Sequence, residues 1–230
     1  MRLLNIGNTT AEIGTLSPTG EIVNVLRMPS AEIANLVPEL SRQKVTVASV
    51  VPELTGLLEL AIPDLTVVTA ESAKSVDFSA VDCATLGADR VANALAAAAL
   101  LSLPAIIVDC GTAITFEVIS ADARFLGGAI LPGRSLAVSA LHSGTAQLPG
   151  IGLSAVIPAA LGTDTVTAIS AGIGIGTIGA VREILGALGP AAGGAYATGG
   201  DADYFCDNLP QLQRAPANFT LRGIAEFAAS

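Results

Sequence analysis

Two loops of similar composition carry the residue types that are best suited to chemistry in this chain. The first begins at Asn5 and the second at Asp109. In each loop, an apolar strand leads to an acid or its amide, then to glycine, then to hydroxyl residues and a second apolar segment. A glycine turn with hydroxyls and backbone N–H groups is a common way to hold phosphate. The repetition predicts a nucleotide held by two related lobes, although a plain β-hairpin turn would explain either loop alone.

The first loop offers phosphate no cationic side chain. It contains neither lysine nor arginine, and the chain has no Gly-x4-Gly-Lys-Ser/Thr sequence of the P-loop type. If this loop binds phosphate, it must do so through backbone N–H dipoles, hydroxyl groups and a metal ion.

A third segment, residues 87–90, stands directly before an alanine-rich stretch that is predicted to be helical. Asp89 suits the N-cap or the first turn of that helix. A carboxylate near a helix N-terminus can also accept a proton from a substrate hydroxyl during phosphoryl transfer. Arg90 can bind an anionic group through a two-pronged contact, or it can pair with Asp89. The residues alone leave both interpretations open.

Further glycine-rich segments follow in the second half. Residues 127–134 fit a strand with a turn, and residues 198–202 fit an αL turn or a place where a flat nucleobase approaches the backbone. A long helix predicted at 164–187 contains several glycines, and each costs about 1 kcal/mol relative to alanine. Close packing within the chain is the first explanation, and a dimer interface or a substrate wall is the alternative. These glycines are Gly172, Gly174, Gly176 and Gly179.

The composition bounds the class of protein. The chain has 230 residues, of which 51% are apolar and 13% are charged, so it can bury a substantial core and is not disordered. A net charge of −9 argues against nucleic acid or an anionic membrane as a partner. No run reaches the roughly 18 uninterrupted apolar residues of a spanning helix. Three cysteines and one histidine lack metal-ligand spacing, and the first strand leaves no room for a signal peptide, so we expect a cytoplasmic protein.

The order of predicted elements is repeated. Strands at 2–7, 11–16 and 21–27 form a meander that is followed by helices and strands, and a second meander begins at residue 105. This order predicts an α/β protein in which each half is a sheet with helices on its faces. We expect an N-terminal lobe of residues 1–104 and a C-terminal lobe of residues 105–230.

Taken in order, the motifs resemble those of type III pantothenate kinases, a family of the actin/Hsp70/sugar-kinase superfamily. The resemblance covers nearly the whole chain. It rests on Asn5-Ile6-Gly7-Asn8-Thr9, Ser49-Val50-Val51-Pro52, Leu86-Gly87-Ala88-Asp89-Arg90, Asp109-Cys110-Gly111-Thr112-Ala113-Ile114-Thr115, Gly127-Gly128 through Pro132-Gly133, Thr145-Ala146-Gln147-Leu148-Pro149, Asp164-Thr165 to Gly172, Thr198-Gly199-Gly200-Asp201-Ala202 and Phe219-Thr220-Leu221-Arg222-Gly223.

The resemblance implies a fold, a reaction and a set of ligands. The fold would be two related lobes of the actin/ribonuclease-H type, each a mixed sheet with flanking helices. The reaction would be the ATP-dependent phosphorylation of the pantothenate 4′-hydroxyl, the first step of coenzyme A biosynthesis. The ligands would be Mg²⁺ with ATP and a monovalent cation, K⁺ or NH₄⁺. The family forms dimers, so the resemblance also implies a homodimer.

The resemblance assigns roles to particular residues. Asp89 is similar to the family's general base, Asp109 to its monovalent-cation ligand and Thr112 to a contact of the ATP phosphates. The implied pantothenate contacts are Gly87, Ala88, Arg90 and Thr165. The implied ATP contacts of the first loop are Asn5, Ile6, Gly7, Asn8, Thr9, Thr10, Ala11 and Glu12.

Four positions depart from the family's pattern. Asn5 stands where the first loop normally begins with Asp, and Glu117 replaces the Asp that usually ends the second motif. Ala80 and Cys83 stand where the family tends to have Tyr and Pro. An amide oxygen can still coordinate a metal ion or hold a metal-bound water, although hard cations favour carboxylates. Besides a working pantothenate kinase, the sequence therefore leaves open a weakly catalytic nucleotide or metabolite binder, or a kinase for another small hydroxy acid.

Overall fold

The computed structural model describes residues 1–230, which divide by their contacts into two compact units. The first unit comprises residues 1–105, 117–127 and 216–230, and the second comprises residues 106–116 and 128–215. The chain first passes from one unit to the other beside the predicted boundary at 104. The division of the chain into two related lobes, residues 1–104 and residues 105–230, stays a prediction.

Eleven strands and seven α-helices make up the chain. Up to residue 110 they are β1 (Arg2–Ile6), β2 (Thr10–Leu16), β3 (Ile22–Pro29), α1 (Val37–Leu40), β4 (Val45–Ser49), α2 (Pro52–Ala61), β5 (Leu65–Val67), α3 (Ala88–Leu100) and β6 (Ala105–Cys110). The remainder are β7 (Ala113–Ile119), β8 (Phe125–Gly127), β9 (Ile130–Pro132), α4 (Arg134–Gly144), α5 (Thr165–Leu188), β10 (Ala195–Thr198), α6 (Ala202–Asn208), β11 (Leu212–Arg214) and α7 (Phe219–Ala229). Short 3₁₀ helices cover Ser30–Leu36 and Cys83–Thr85.

A five-stranded mixed sheet, in the order β3-β2-β1-β4-β5, forms the centre of the first unit. β1 pairs antiparallel with β2 and parallel with β4, and the register places Asn5 opposite both Glu12 and Ala48. Successive side chains of a strand point to opposite faces. Leu4 and Ile6 therefore lie on one face with the apolar core, and Leu3 and Asn5 lie on the other.

Helices cover both faces of this sheet. The core on the Leu4 face includes Ile33 from the first 3₁₀ helix and Leu58 from α2. α3 and α7 cover the opposite face, where they also pack tightly on each other. The Thr220 hydroxyl of α7 donates a 2.8 Å hydrogen bond to the amide oxygen of Asn93 on α3. The C-terminal helix thus belongs to the first unit and supports the helix that begins at Ala88.

The second sheet has the order β11-β10-β6-β7-β8, and β9 pairs with β7. β10 runs parallel to both β6 and β11, whereas β9 is antiparallel to β7. α4 packs on α5 around Val138, Ile169 and Ile173. Both sheets are mixed and flanked by helices, which confirms the predicted α/β class.

Helix α5 is the one helix of the chain that is long and apolar enough to cross a membrane by length and composition. A core helix passes the same test, and 44% of its most apolar 18-residue window is buried. The buried face includes Val181 and Leu185, while Arg182 and Glu183 are exposed. The helix is therefore weak evidence for a membrane span.

Local structure departs from the sequence-based expectations in two places. The sequence predicts a helix over residues 30–42 with Ser30 as its N-cap. The structure instead has a 3₁₀ helix over Ser30–Leu36 followed by the short α1, and Ser30 is not the capping residue. The Ser30 hydroxyl instead donates a 2.6 Å hydrogen bond to the Gly7 carbonyl oxygen. α6 and β11 were not predicted, because at seven and three residues they are too short to show a period.

Candidate active site

The first loop connects β1 and β2 through a tight turn. The Gly7 N–H donates to the Thr10 carbonyl oxygen at 3.1 Å, and Asn8, Thr9 and Thr10 are exposed. Ser30 binds two carbonyl oxygens of this turn, that of Gly7 through its hydroxyl and that of Thr9 through its N–H. Because Ser30 holds these carbonyl oxygens, the remaining surface of the loop suits an anion better.

Other predicted ATP contacts of the loop have structural roles. The side chains of Ile6 and Ala11 are fully buried in the core, so only their backbone can meet a ligand. The Glu12 carboxylate accepts a hydrogen bond from Arg27 at 2.6 Å, across the β2–β3 ladder. Asn5 lies on the sheet face that α3 covers. The loop therefore offers Asn5, Asn8 and the hydroxyls as its polar side chains.

The segment 87–90 begins α3, with Gly87 at the N-cap and Asp89 in the first turn. The Asp89 Oδ1 accepts a hydrogen bond from the Arg90 N–H at 2.8 Å. A Cβ on Gly87 would lie 2.6 Å from that oxygen and 3.4 Å from a methyl group of Val50. Val50 in turn donates its N–H to the Ile6 carbonyl oxygen at 3.0 Å. The first unit thus brings the start of α3 beside the ends of β1 and β4. The segment 87–90 and the loop after β1 must lie close together if both belong to one site.

The environment of Asp89 changes its acidity. Burial raises the pKa of the Asp89 carboxyl above its usual value, and it outweighs the Arg90 backbone hydrogen bond and charge, which act in the opposite direction. A carboxylate whose pKa is raised toward neutrality is better matched to take a proton from a hydroxyl. The geometry and the acidity of Asp89 both suit a general base.

Arg90 is fixed by two neighbours within the first unit. Its Nε donates to the Glu117 Oε1 at 3.0 Å, and the guanidinium carbon lies 5.4 Å from the centroid of the Phe125 ring. Glu117 is fully buried, and an acidic residue among the mostly apolar residues of β7 indicates a buried partner without saying which residue that is. The side chain of Arg90 thus pairs with Glu117, and the Arg90 backbone N–H binds Asp89.

We expect Glu117→Gln to destabilise the protein. The amide keeps an acceptor for Arg90 but removes the negative charge from a buried ion pair, which should lower the free energy of unfolding by about 1–3 kcal/mol. Asp77→Asn is the matched control, because it removes a charge from an exposed ion pair with Arg124 in the same unit. Urea unfolding of both variants measures the difference, and equal losses would contradict the structural role assigned to Glu117.

In the second unit, Asp109 is the second-last residue of β6, and Thr112 lies in the turn that directly follows this strand. A Cβ on Gly199 would lie 2.5 Å from the Asp109 Oδ1, and Gly199 has a φ of +89°, which glycine adopts without strain. A Cβ on Gly133 would overlap the Gly111 carbonyl oxygen. Two glycine turns therefore enclose the turn 109–112, which brings the two predicted residues together.

The chemistry of this turn fits a hard cation. The Asp109 carboxylate and the Thr112 hydroxyl supply oxygen atoms, the donor type that such ions prefer. The chain assembles no group of three or more His, Cys, Asp or Glu side chains that could hold a metal ion. Mg²⁺ in phosphoryl-transfer sites needs no such cage, because one or two side chains, water and the substrate phosphates bind it.

Thr165, the remaining predicted contact, is the first residue of α5 and is exposed. Asp164 caps this helix: its carboxylate accepts the Thr167 N–H at 2.9 Å, and the Thr167 hydroxyl completes a capping box. The helix start is thus rigidly defined.

Solved structures of low sequence identity share this fold. A Campylobacter jejuni protein described as a Baf family transcriptional activator matches with a TM-score of 0.68 at 21% identity, covering 100% of this chain and 98% of its own. The polyphosphate/ATP-glucomannokinase of Arthrobacter sp. strain KM matches with a TM-score of 0.52 at 15% identity, covering 100% and 97%. At these identities the likeness shows the fold alone, which is the actin-like α/β fold of sugar kinases.

Sequence comparison then defines the family. The sequence model of type III pantothenate kinases matches residues 3–187. The type III pantothenate kinase of Thermomicrobium roseum is 35% identical over 189 residues, which are 78% of this chain and 72% of that protein. The chain belongs to the type III pantothenate kinase family, which confirms the resemblance drawn from its motifs.

Several relatives are matched over less than two thirds of their own length. The type III pantothenate kinase of Caulobacter vibrioides is 35% identical over 166 residues, which are 69% of this chain. The aligned part spans 63% of the Caulobacter protein, less than two thirds of its length.

Proposed function

We propose that this protein phosphorylates the 4′-hydroxyl of pantothenate with ATP, the first step of coenzyme A biosynthesis. The observation that carries the proposal is Asp89, a carboxylate of raised pKa in the first turn of α3, next to an arginine that a buried glutamate orients. The relatives named above are type III pantothenate kinases, which supports the choice of substrate.

In the proposed reaction, Asp89 accepts the proton of the 4′-hydroxyl while the hydroxyl oxygen bonds to the γ-phosphorus of ATP. The bond from the γ-phosphorus to the β,γ-bridging oxygen breaks, and ADP leaves. Arg90 binds the substrate carboxylate by charge and hydrogen bonds, with Gly87 and Ala88 as its backbone neighbours. Thr165 supplies a further contact to the substrate.

The two predicted phosphate motifs have different parts in this proposal. The loop from Asn5 to Glu12 binds ATP phosphates through N–H groups and hydroxyls, and Thr112 supplies another hydroxyl. Asp109 binds K⁺ or NH₄⁺ through its carboxylate. When bound with ATP, Mg²⁺ neutralises charge that develops on the phosphates.

The proposal includes a cytoplasmic homodimer that binds no nucleic acid. The glycines of α5 support the dimer. Gly174 packs closely, since a Cβ there would lie 2.8 Å from Pro158, whereas a Cβ on Gly172, Gly176 or Gly179 would meet nothing within 4 Å. Packing within the chain therefore accounts for Gly174 and leaves the other three open to another explanation. Gel filtration with light scattering measures the oligomeric state.

The direct test measures ADP release from ATP with Mg²⁺, K⁺ or NH₄⁺, and pantothenate. Pantothenate should give the highest kcat/KM in a panel of small hydroxy acids. Turnover with another acceptor alone would identify a kinase of different specificity. Thermal stabilisation by ATP without any turnover would identify the weakly catalytic binder that Asn5 leaves open.

We expect Asn5→Asp to raise kcat/KM for ATP several-fold at limiting Mg²⁺, because a carboxylate oxygen binds a hard cation better than an amide oxygen does. The added charge on the α3 face should also raise the pKa of Asp89 further, which moves the acid limb of the pH profile upward. Asn24→Asp makes the same change at an exposed site of β3 and should leave both quantities unchanged. An unaltered Mg²⁺ dependence in Asn5→Asp would contradict the proposed role of the first loop.

A further inference from the structure

Arg134 is the most completely surrounded charge of the second unit. Its side chain is 5% exposed, and Nε and Nη2 bind the two carboxylate oxygens of Asp201 at 3.0 and 2.8 Å. Nη1 donates to the Ser154 carbonyl oxygen at 2.7 Å, and the guanidinium carbon lies 3.6 Å from the Tyr204 ring centroid. The Tyr204 hydroxyl is itself held by the Gly174 carbonyl oxygen at 3.0 Å.

The two residues of this ion pair lie next to turns that contact the turn 109–112: Arg134 begins α4 directly after Gly133, and Asp201 directly precedes α6. Gly133, next to Arg134, donates its N–H to the Thr112 carbonyl oxygen at 2.9 Å. Asp201 donates its own N–H to the Cys110 carbonyl oxygen at 3.0 Å. The Arg134–Asp201 pair therefore joins the two flanking turns and closes a ring of contacts around the backbone of residues 109–112.

The energetics of such a pair favour a geometric role. Removing two charges from water is costly, so a buried ion pair contributes little net stability compared with apolar residues of the same size. A two-pronged contact does fix the relative orientation of its partners, since both N–H donors lie in the plane of the guanidinium. Stacking on Tyr204 fixes that plane from a further direction.

We propose that Arg134 is a positioning residue that acts through Asp201 to set the turn 109–112 for nucleotide phosphate and the monovalent cation. Arg134 touches neither ligand in this proposal. It rests on the proposed function, because that function assigns Asp109 to the cation and Thr112 to ATP.

The test uses Arg134→Lys, which keeps the positive charge and loses the two-pronged contact. We expect calorimetry to show an ADP Kd about tenfold higher than the wild type's, equivalent to about 1.4 kcal/mol. The K⁺ concentration for half-maximal activity should rise similarly, and KM for pantothenate should change less than twofold. Arg214→Lys is the matched control, because Arg214 pairs with Asp203 and Asp207 at an exposed site of the same unit.

Two further variants keep the proposal falsifiable. Asp201→Asn retains the shape of the side chain and should also raise the ADP Kd about tenfold. This variant tests the proposal even if Arg134→Lys does not fold. If Arg134 acts through Asp201, the double variant should bind ADP no more weakly than either single variant. Unchanged ADP affinity in the folded variants, or an equal rise in KM for pantothenate, would overturn the positioning role. ADP binding is measured without turnover, so a failure to phosphorylate pantothenate does not prejudge this result.

Discussion

Asp89→Asn is expected to lower kcat by about 10²- to 10⁴-fold, the usual contribution of a general base. The amide keeps an oxygen in place to accept the 2.8 Å hydrogen bond from the Arg90 N–H, so the start of α3 should keep its structure. What it cannot do is accept the proton of the substrate hydroxyl. The loss should therefore appear in kcat with little change in KM for ATP.

The same substitution should raise the melting temperature at neutral pH. Because burial raises the pKa of Asp89 in the folded state, folding loses stability as the pH rises above the ordinary carboxyl pKa, and this loss is complete once the pH exceeds the folded pKa. The stability gain of Asp89→Asn should be present at pH 7 and should vanish below the ordinary carboxyl pKa of 3.8, where both side chains are neutral. The acid limb of the wild-type kcat/KM profile should lie above that same value.

Asp82→Asn provides the control for both measurements. Asp82 is an exposed carboxylate in the same unit that caps the short helix Cys83–Thr85, and its substitution should leave kcat nearly unchanged. A kcat for Asp89→Asn within threefold of the wild type would contradict the assignment of the base. A lower melting temperature at pH 7 would contradict the account of its acidity.

Gly223→Ala is expected to cause the largest loss of stability among simple substitutions. A Cβ on Gly223 of α7 would overlap the backbone carbonyl group of Ala92 on α3. Backbone cannot move aside as a flexible side chain does, so overpacking here should cost about 3 kcal/mol or more. That corresponds to a fall of roughly 6–12 °C in melting temperature for a protein of this size.

The matched control is Gly56→Ala in α2 of the same unit. A Cβ on Gly56 would meet nothing within 4 Å, so alanine should stabilise the helix by up to about 1 kcal/mol. Scanning calorimetry of the two variants should give shifts of opposite sign. A destabilisation of similar size in both would show that the α3–α7 contact is not what requires glycine at 223.

Local pattern was enough to predict much of the architecture. The alternation of β1 to β3 and the alanine-rich run of α3 each follow from nearest neighbours in sequence, so their positions were predicted to within a few residues. The sequence did not predict that residues 117–127 and 216–230 belong to the first unit, because this depends on contacts between distant parts of the chain. α7 shows this: its amphipathic pattern predicts a helix but does not say which sheet it covers.

The residues of the candidate site could likewise be predicted only in part. Asp89 and Asp109 could be singled out because each stands at a strand or helix end within a short glycine motif. The ion-pair partners of Arg90 and Arg134 could not be identified from the sequence. Glu117 is 27 residues from Arg90, and Asp201 is 67 residues from Arg134. Ser30 was misassigned as a cap for the same reason, because its hydroxyl binds the backbone of the first loop, at Gly7.

Mass spectrometry of the reaction product tests the central claim most directly. Wild-type protein incubated with ATP, Mg²⁺, K⁺ and pantothenate should form a compound heavier than pantothenate by one phosphoryl group, attached at the 4′-oxygen. Asp89→Asn at the same concentration should form at least about 100-fold less. Absence of the product with folded wild-type protein that binds ATP, or equal amounts from both proteins, would contradict the account.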